Sequence, residues 1–362
     1  MVLFTSLEQP APMLEHLEVY TLWRDSSENI ECSVTLPQLR HLTLVGCAVT
    51  WTLSSFENLR SLNISRLPEA IKPTIGQFLR MLRRTPLLES FSIKSIKQSS
   101  EDRDTPSQRK PVSLKYLAYM EVSCILSDCV YLLDHLEISG RKVREITLNI
   151  ENTPSSQIHL AKDLARTIES KFDGRVQKLV LDDTLRLRIS EQSCSHSCTV
   201  VVNFIGEGPQ YRASFWQSLH LDRLSSLEVW EDHFSAQQWS IFGGLPGLKT
   251  ITVSPEKDHL LRALIQETAI TPSLAFPALK RLAMGDWDVL SKESDLRREM
   301  VDQMVSCLKL RHSAGLALDC LRLNNCFKDD EDGDESVAAI LGRLREFVKD
   351  VQTDQYDESD DE

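Results

Sequence analysis

The sequence lacks the short motifs and long apolar runs that would identify an enzyme or a membrane protein. It contains no G-x-x-x-x-G-K-[ST] phosphate loop, no G-x-S-x-G nucleophile elbow and no H-E-x-x-H zinc helix. No stretch approaches the roughly 18 consecutive apolar residues of a membrane span. The opening residues, MVLFTSLEQPAP, lack the basic segment and the apolar run of a signal peptide. We therefore predict an intracellular protein, cytoplasmic or nuclear, that is not an enzyme and needs no cofactor.

Paired cysteines are also missing, because the nine cysteines are odd in number and scattered along the chain. The stretch CSHSC places Cys194, His196 and Cys198 at alternate positions, so on a strand all three would share one face. A structural zinc ion usually takes four ligands, and only Cys124 and Cys129 could complete the set. We favour a serine-rich loop with ordinary thiols and predict no metal, and zinc is the alternative.

Net negative charge is small outside the C-terminal end. Residues 1–326 hold 39 acidic and 37 basic residues, whereas residues 327–362 hold 14 acidic and 4 basic residues. The first part is nearly neutral and has no basic excess for a phosphate backbone. We therefore predict that the protein does not bind nucleic acid or a membrane, and that its acidity belongs to a C-terminal tail.

A short leucine frame, L-x-x-L-x-L, recurs along the whole chain. It is clearest in LRHLTL, residues 39–44, and in LDCLRL, residues 318–323. With substitutions it occurs eleven times, and a strand-like run, CTVVVNF, fills the one large gap, so that the twelve segments are centred on residues 17, 42, 62, 91, 117, 146, 179, 202, 227, 251, 282 and 321. The mean spacing of about 28 residues lies within the range of about 20–29 residues for leucine-rich repeats.

The frame predicts short parallel strands that stack on one another. Its last two apolar residues are two apart and therefore point to the same face of a strand. One such strand cannot bury that face alone, and neighbouring repeats supply the missing backbone bonds and core. The positions expected to be buried are Leu42, Leu44, Leu62, Leu179, Leu227, Ile251, Leu282, Leu321 and Leu323.

Helical segments and prolines separate the frames. Apolar residues at three- and four-residue spacing predict helices over 75–84, 158–172, 256–267 and 295–308. Proline directly before a frame stops a helix and favours extended backbone, and it occupies positions 37, 86, 246 and 277. Alternation of strand and helix with right-handed crossovers predicts an α/β leucine-rich-repeat solenoid, a horseshoe with parallel strands on its concave face and helices on its convex face. A doubly wound α/β domain is the alternative.

The predicted boundaries follow composition. Residues 1–328 form the solenoid of about twelve repeats, and the polar, proline-containing segment 97–111 is a mobile insertion. Residues 329–351 form an acidic linker and an amphipathic helix over 336–351 that caps the last repeat. Residues 352–362 are predicted to be a disordered acidic tail.

The proline-led frames, and phrases such as FLRMLRRTPLLESFSI and FPALKRLAM, resemble the leucine-rich regions of fungal F-box-like proteins, especially those of mushroom-forming fungi. The resemblance extends over about residues 12–326. In that family an N-terminal F-box binds the Skp adaptor of a cullin ubiquitin ligase, and the repeats select the substrate. The resemblance thus implies an adaptor that recognises a protein. We find no F-box in this sequence, so a Skp–cullin complex is expected only if an F-box lies outside the chain.

Binding is predicted at the polar positions between the buried leucines, which project from the concave face. These are Glu18, Tyr20, His41, Thr43, Asn63, Lys94, Asn149, Asp182, Glu228, Trp230, Thr252, Arg281, Arg322 and Asn324. Their mixed polarity suits a protein surface, and Trp230 is the expected anchor. We predict a monomer that binds an unidentified protein partner. The alternative is an acidic-tailed nuclear regulator that resembles histone chaperones.

Overall fold

The computed structural model describes residues 11–20, 36–46, 57–67, 72–94, 96, 111–138, 142–151, 153–172, 175–182, 184–190, 197–205, 209–230, 234–253, 258–265, 274–285, 294–324 and 337–354. The chain divides into two compact units. Unit 1 comprises Met1–Gly174 and Arg188–Leu219, and unit 2 comprises Arg175–Leu187 and His220–Glu362. The insertion predicted over 97–111 lies outside the described residues except for Pro111, as does the tail from residue 355.

The described residues alternate between short strands and helices. The strands are β1 (His16–Tyr20), β2 (His41–Val45), β3 (Ser61–Ser65), β4 (Ser90–Lys94), β5 (Val112–Leu114), β6 (Tyr119–Cys124), β7 (Leu136–Ile138), β8 (Glu145–Glu151), β9 (Arg175–Leu181), β10 (Leu185–Ser190), β11 (Ser197–Ile205), β12 (Ser226–Val229), β13 (Thr250–Val253), β14 (Arg281–Met284), β15 (Cys320–Asn324) and β16 (Asp350–Asp354). The helices are α1 (Ile75–Arg83), α2 (Leu126–His135), α3 (His159–Phe172), α4 (Pro209–Trp216), α5 (Ala236–Gly243), α6 (Asp258–Ile265), α7 (Ser294–Ser313) and α8 (Val337–Arg345).

The leucine frames form the core as predicted. In β2 and β3 buried and half-buried side chains alternate strictly, so each strand turns one apolar face inward. All nine frame residues expected to be buried are at most 5% exposed, and five of them are fully buried. The predicted burial is therefore confirmed.

Unit 1 stacks its strands in parallel, in the order β1-β2-β3-β4-β6-β8-β11. The register aligns the frame leucines into continuous rows, since Leu42 lies between Leu17 and Leu62. The buried face of this sheet packs on helices such as α2, which contacts β6 and β8. A small parallel pair, β5 with β7, lies beside it in the same unit.

Unit 2 repeats the arrangement in the order β9-β12-β13-β14-β15-β16, again with parallel neighbours. One buried row runs through the register partners Leu179, Leu227, Ile251, Leu282, Leu321 and Val351. The residues of β10 are divided between the two units. Both units are thus α/β with long, mostly parallel sheet structure, which is compatible with a repeat solenoid.

Proline sets the turn before a strand at several repeats. In LPQL the amide N–H of Leu39 donates to the carbonyl of Leu36 at 3.1 Å, which closes a β-turn around Pro37. The same bond joins Leu88 to Thr85 around Pro86, at 3.2 Å. Proline fixes the backbone angle that the second residue of such a turn requires. It therefore shapes the turn as well as stopping the helix.

Side-chain hydrogen bonds cap the N-termini of α1 and α5. Before α1, the hydroxyl of Thr74 accepts from the N–H of Gln77 at 3.2 Å, and the Gln77 side chain accepts from the N–H of Thr74 at 2.9 Å. This reciprocal capping box satisfies two backbone donors that the helix leaves free. A matching pair, Ser235 and Gln238, begins α5.

The structure departs from the sequence-based predictions at several elements. The strand expected near residue 117 lies at β6, because the frame that folds is L-x-x-M-x-V, residues 117–122. Strand β8 pairs with β6 and with β11, and not with β9, which is the next strand along the chain. The helix expected over 336–351 ends at Arg345, and residues 350–354 form β16, so residues 352–354 are ordered in a strand. Among the described helices, none is both long and apolar enough to cross a membrane.

Candidate functional site

The seven predicted binding residues of unit 1 all lie on one surface. We call it the strand face of unit 1: the side of the sheet opposite to its buried leucines, formed by alternate residues of β1, β2, β3, β4, β6, β8 and β11. It carries Glu18, Tyr20, His41, Thr43, Asn63, Lys94 and Asn149, each half-buried or exposed. Because the strands are in register, these side chains form rows that run across the sheet.

A hydrogen-bonded polar ladder crosses this face. Its members are Ser92, Lys94, Glu121, Ser123, Asn149 and Asn203, from β4, β6, β8 and β11. The Ser92 hydroxyl donates to Glu121 Oε2 at 2.8 Å, and the amide of Asn149 donates to Glu121 Oε1 at 3.4 Å. Lys94 Nζ lies 3.7 Å from Glu121 Oε1. The amide of Asn203 in turn donates to Asn149 Oδ1 at 2.6 Å.

Glu121 determines how the side-chain amides of the polar ladder are oriented. An ionised carboxylate only accepts hydrogen bonds, so the amide N–H₂ of Asn149 must turn toward it. The carbonyl oxygen of Asn149 then faces Asn203, whose own amide oxygen has no hydrogen-bond partner. Asn149 also donates to the Ser123 hydroxyl at 3.2 Å. The result is a row of side-chain amides whose orientations are fixed by hydrogen bonds from β4 to β11.

The β1 end of the same face is aromatic. The imidazoles of His16 and His41, which are register partners, stack with centroids 4.2 Å apart and planes 4° apart. Tyr20 is 62% exposed, and its hydroxyl donates to the Glu18 carboxylate at 3.0 Å. That hydrogen bond and the negative charge of Glu18 raise the pKa of Tyr20. Flat, partly exposed rings of this kind provide contact area for a protein partner.

The other seven predicted residues lie in unit 2. Glu228, Thr252, Arg281, Arg322 and Asn324 are on β12 to β15, and Asp182 and Trp230 directly follow β9 and β12. Lys178 Nζ lies 2.6 Å from Glu228 Oε1, and Arg281 Nε donates to the Thr250 hydroxyl at 3.2 Å. Trp230 is 45% exposed, and its backbone N–H donates to the Leu181 carbonyl at 2.7 Å.

The predicted residues therefore form two sets, one in each unit. Sequence reasoning missed Glu121, Ser123 and Asn203, which connect the set in unit 1. Glu121 and Ser123 were missed because the frame near residue 117 was placed three residues too early. The usable signal was Met120, an apolar residue that stands where the frame usually has leucine. Asn203 was missed because its strand, CTVVVNF, has no leucine frame and its pairing with β8 is not sequential.

The predicted thiol cluster is described only in part, because Cys194 and His196 lie outside the described residues. Cys198 is buried in β11, and burial raises the pKa of its thiol to about 12. Cys124 and Cys129 are buried together, and their hydrogen bond raises the pKa of Cys124. Among residues that the structure describes, no group of three or more His, Cys, Asp or Glu side chains could hold a metal ion.

Helices α6 and α7 of unit 2 border a groove of about 740 Å³. Leu261 and Ile265 line it from α6, and Ser306 and Leu310 line it from α7. Ile265 and Leu310 are 40% and 44% exposed, so the groove has partly open apolar walls.

No protein-family model and no curated protein matches the chain.

Proposed function

We propose that the protein is a leucine-rich-repeat solenoid that acts as a non-catalytic protein–protein interaction module. The partner binds on the strand face of unit 1, which is the concave face in a horseshoe of this class. The observation that carries the proposal is the polar ladder. The parallel sheet holds Glu121, Asn149 and Asn203, each half-buried, on the face opposite to its buried leucines.

The alternation of buried apolar and outward-facing polar residues along each strand supports the same conclusion. The leucine rows hold the backbone in place, so the polar rows between them are free to vary without loss of the core. Hydrogen bonds within the ladder fix the rotamers before a partner arrives, which lowers the entropy lost on binding. A substrate-recognition adaptor related to F-box proteins is the specific form of this proposal, with a Skp–cullin complex bound through a separate F-box.

Site-specific photo-crosslinking tests the proposal. A benzoylphenylalanine placed at Thr147, which is half-buried on the strand face, is compared with one at Lys162, which is exposed on α3 of the same unit. We expect discrete protein adducts from a cell extract at Thr147 and not at Lys162. A further Asn149→Arg change in the Thr147 protein should abolish them, because a bulky cation interrupts the ladder. The same adducts at both positions would overturn the proposal.

A further inference from the structure

The strand face of unit 1 carries an excess of negative charge. Its described carboxylates are Glu18, Glu121, Glu145 and Glu151, and its described cation is Lys94. Two more cations reach its edges: Arg144, which precedes β8 and donates to the Tyr119 hydroxyl at 3.3 Å, and Arg188 of β10. Four anions against these three cations leave a formal charge of −1. Lys94 already lies 3.7 Å from Glu121, and Arg188 donates to the Ser197 hydroxyl at 3.3 Å.

The corresponding strand positions of unit 2 have no acidic excess. Four cations, Lys178, Arg186, Arg281 and Arg322, stand against four anions, Asp182, Glu228, Asp350 and Asp354. Two of these anions are in ion pairs, Glu228 with Lys178 at 2.6 Å and Asp182 with Arg186 at 3.0 Å. The acidic character is therefore a property of unit 1 and not of the strand faces in general.

Two carboxylates of this face form no salt bridge within the described residues and lie at the two ends of β8. Glu145 and Glu151 are the first and last residues of β8 and project from the same side as Asn149. No lysine or arginine within the described residues forms a salt bridge with either of them. At about 3.3 Å per residue, their Cα atoms lie roughly 20 Å apart along the strand. Glu121 stands between them on the neighbouring strand, opposite Thr147.

We propose that this face binds a basic segment of the partner protein, an extended stretch with lysine or arginine residues spaced over about six positions. The inference rests on the proposed function and names the chemistry of the partner for the same surface. The carboxylates of Glu121, Glu145 and Glu151 receive the cations. Asn149, between Glu145 and Glu151 on β8, contributes an oriented amide, which Asn203 on β11 holds in place. Arginine suits the site because its planar group can donate two hydrogen bonds to one carboxylate.

Defined peptides test the chemistry on the full chain. Three labelled 13-residue glycine–serine peptides carry three arginines, three glutamates or neither, and binding is measured by fluorescence anisotropy at low and high salt. We expect the arginine peptide to bind most tightly and to weaken as salt rises. Replacing Glu121, Glu145 and Glu151 by glutamine should weaken its binding about tenfold. A second triple variant, with glutamine at Glu137, Glu169 and Glu299, removes three carboxylates outside the strand face of unit 1. It is the matched control and should leave the binding within about twofold.

The acidic C-terminal segment is identical in all these proteins, so it cannot produce the difference between them. Equal binding of the arginine peptide to the triple variant and the parent, with both folded by thermal melt, would overturn the inference. Tighter binding of the glutamate or neutral peptide would overturn it as well. Competition separates the two proposals. If Thr147 adducts form but excess arginine peptide does not suppress them, the basic-segment inference fails and the interaction module stands.

Discussion

Arg311 shows how one charged side chain can organise the interior of unit 2. It lies in α7, is fully buried and donates to the carbonyls of Leu264 at 3.1 Å, Ala275 at 2.8 Å and Phe276 at 2.9 Å. Burial lowers the pKa of its guanidinium, and the three carbonyl dipoles replace the lost water. Phe276 needs this support because its φ of 58° is in the left-handed region that side chains disfavour.

Arg311→Met should destabilise the protein by about 3 kcal/mol, because it leaves three carbonyl acceptors without their donor. Lys309→Met, at an exposed position two residues away on α7, should change the free energy of unfolding by less than about 0.5 kcal/mol. Urea denaturation followed by circular dichroism measures both. Equal losses for the two variants would show that the bonds of Arg311 add nothing to stability.

Residues differ in how well their burial and contacts can be predicted from the sequence alone. Leu42 and Leu321 were predictable because the frame repeats them and apolar burial needs no particular partner. Arg311 was not, since an arginine within a helical pattern is normally expected at the surface. The candidate site in unit 1 was likewise predictable only in part. Polar positions could be read from the frame, but the bonds that join Glu121, Asn149 and Asn203 depend on which strands become neighbours.

Elements were predicted best where their apolar residues recur regularly at helical spacing. Helices α1, α3, α6 and α7 were predicted near their observed bounds, whereas α2, α4 and α5 were missed, although α2 is longer than α1 and α6. At the C-terminal end the apolar spacing of residues 336–351 fitted one helix. The observed β16 uses a weaker frame, Val348-x-x-Val351-x-Thr353, whose last two members pair with Leu321 and Leu323. Thr353 stands in a leucine position, so the pattern did not reveal a repeat.

Truncation tests the contribution of β16. Ending the chain after Lys349 removes the whole strand, leaves backbone groups of β15 unpaired and uncovers Leu321 and Leu323. We expect a loss of roughly 2–3 kcal/mol, mainly from the buried Val351 and the ladder bonds. Ending it after Asp354 keeps β16 and removes five acidic residues, and this matched control should change stability by less than about 0.5 kcal/mol. Equal stability of the two truncated proteins would contradict the prediction.

At the scale of the whole molecule, the repeat explains why an α/β chain with long, mostly parallel sheet structure was predictable. Each frame specifies the same strand, so errors at single frames do not change the class. The division into two units was not predictable, because it depends on β8 pairing with β11 and β9 pairing with β12. These strand pairings depend on contacts between residues far apart in sequence, and a local sequence pattern does not predict such contacts.

Hydrogen exchange of the whole chain should show the two units responding separately to core substitutions. Leu62 lies in register between Leu42 and Phe91 in unit 1, and Leu321 lies between Leu282 and Val351 in unit 2. Replacement of either by alanine leaves a cavity that costs about 2–5 kcal/mol. Because repeats contact chiefly their neighbours, the loss should be felt first in adjacent strands. Leu62→Ala should speed exchange in β2, β3 and β4, and Leu321→Ala in β14, β15 and β16. If Leu62→Ala accelerates exchange equally in β14 to β16, the molecule opens as one cooperative body and the separation into units has no energetic counterpart.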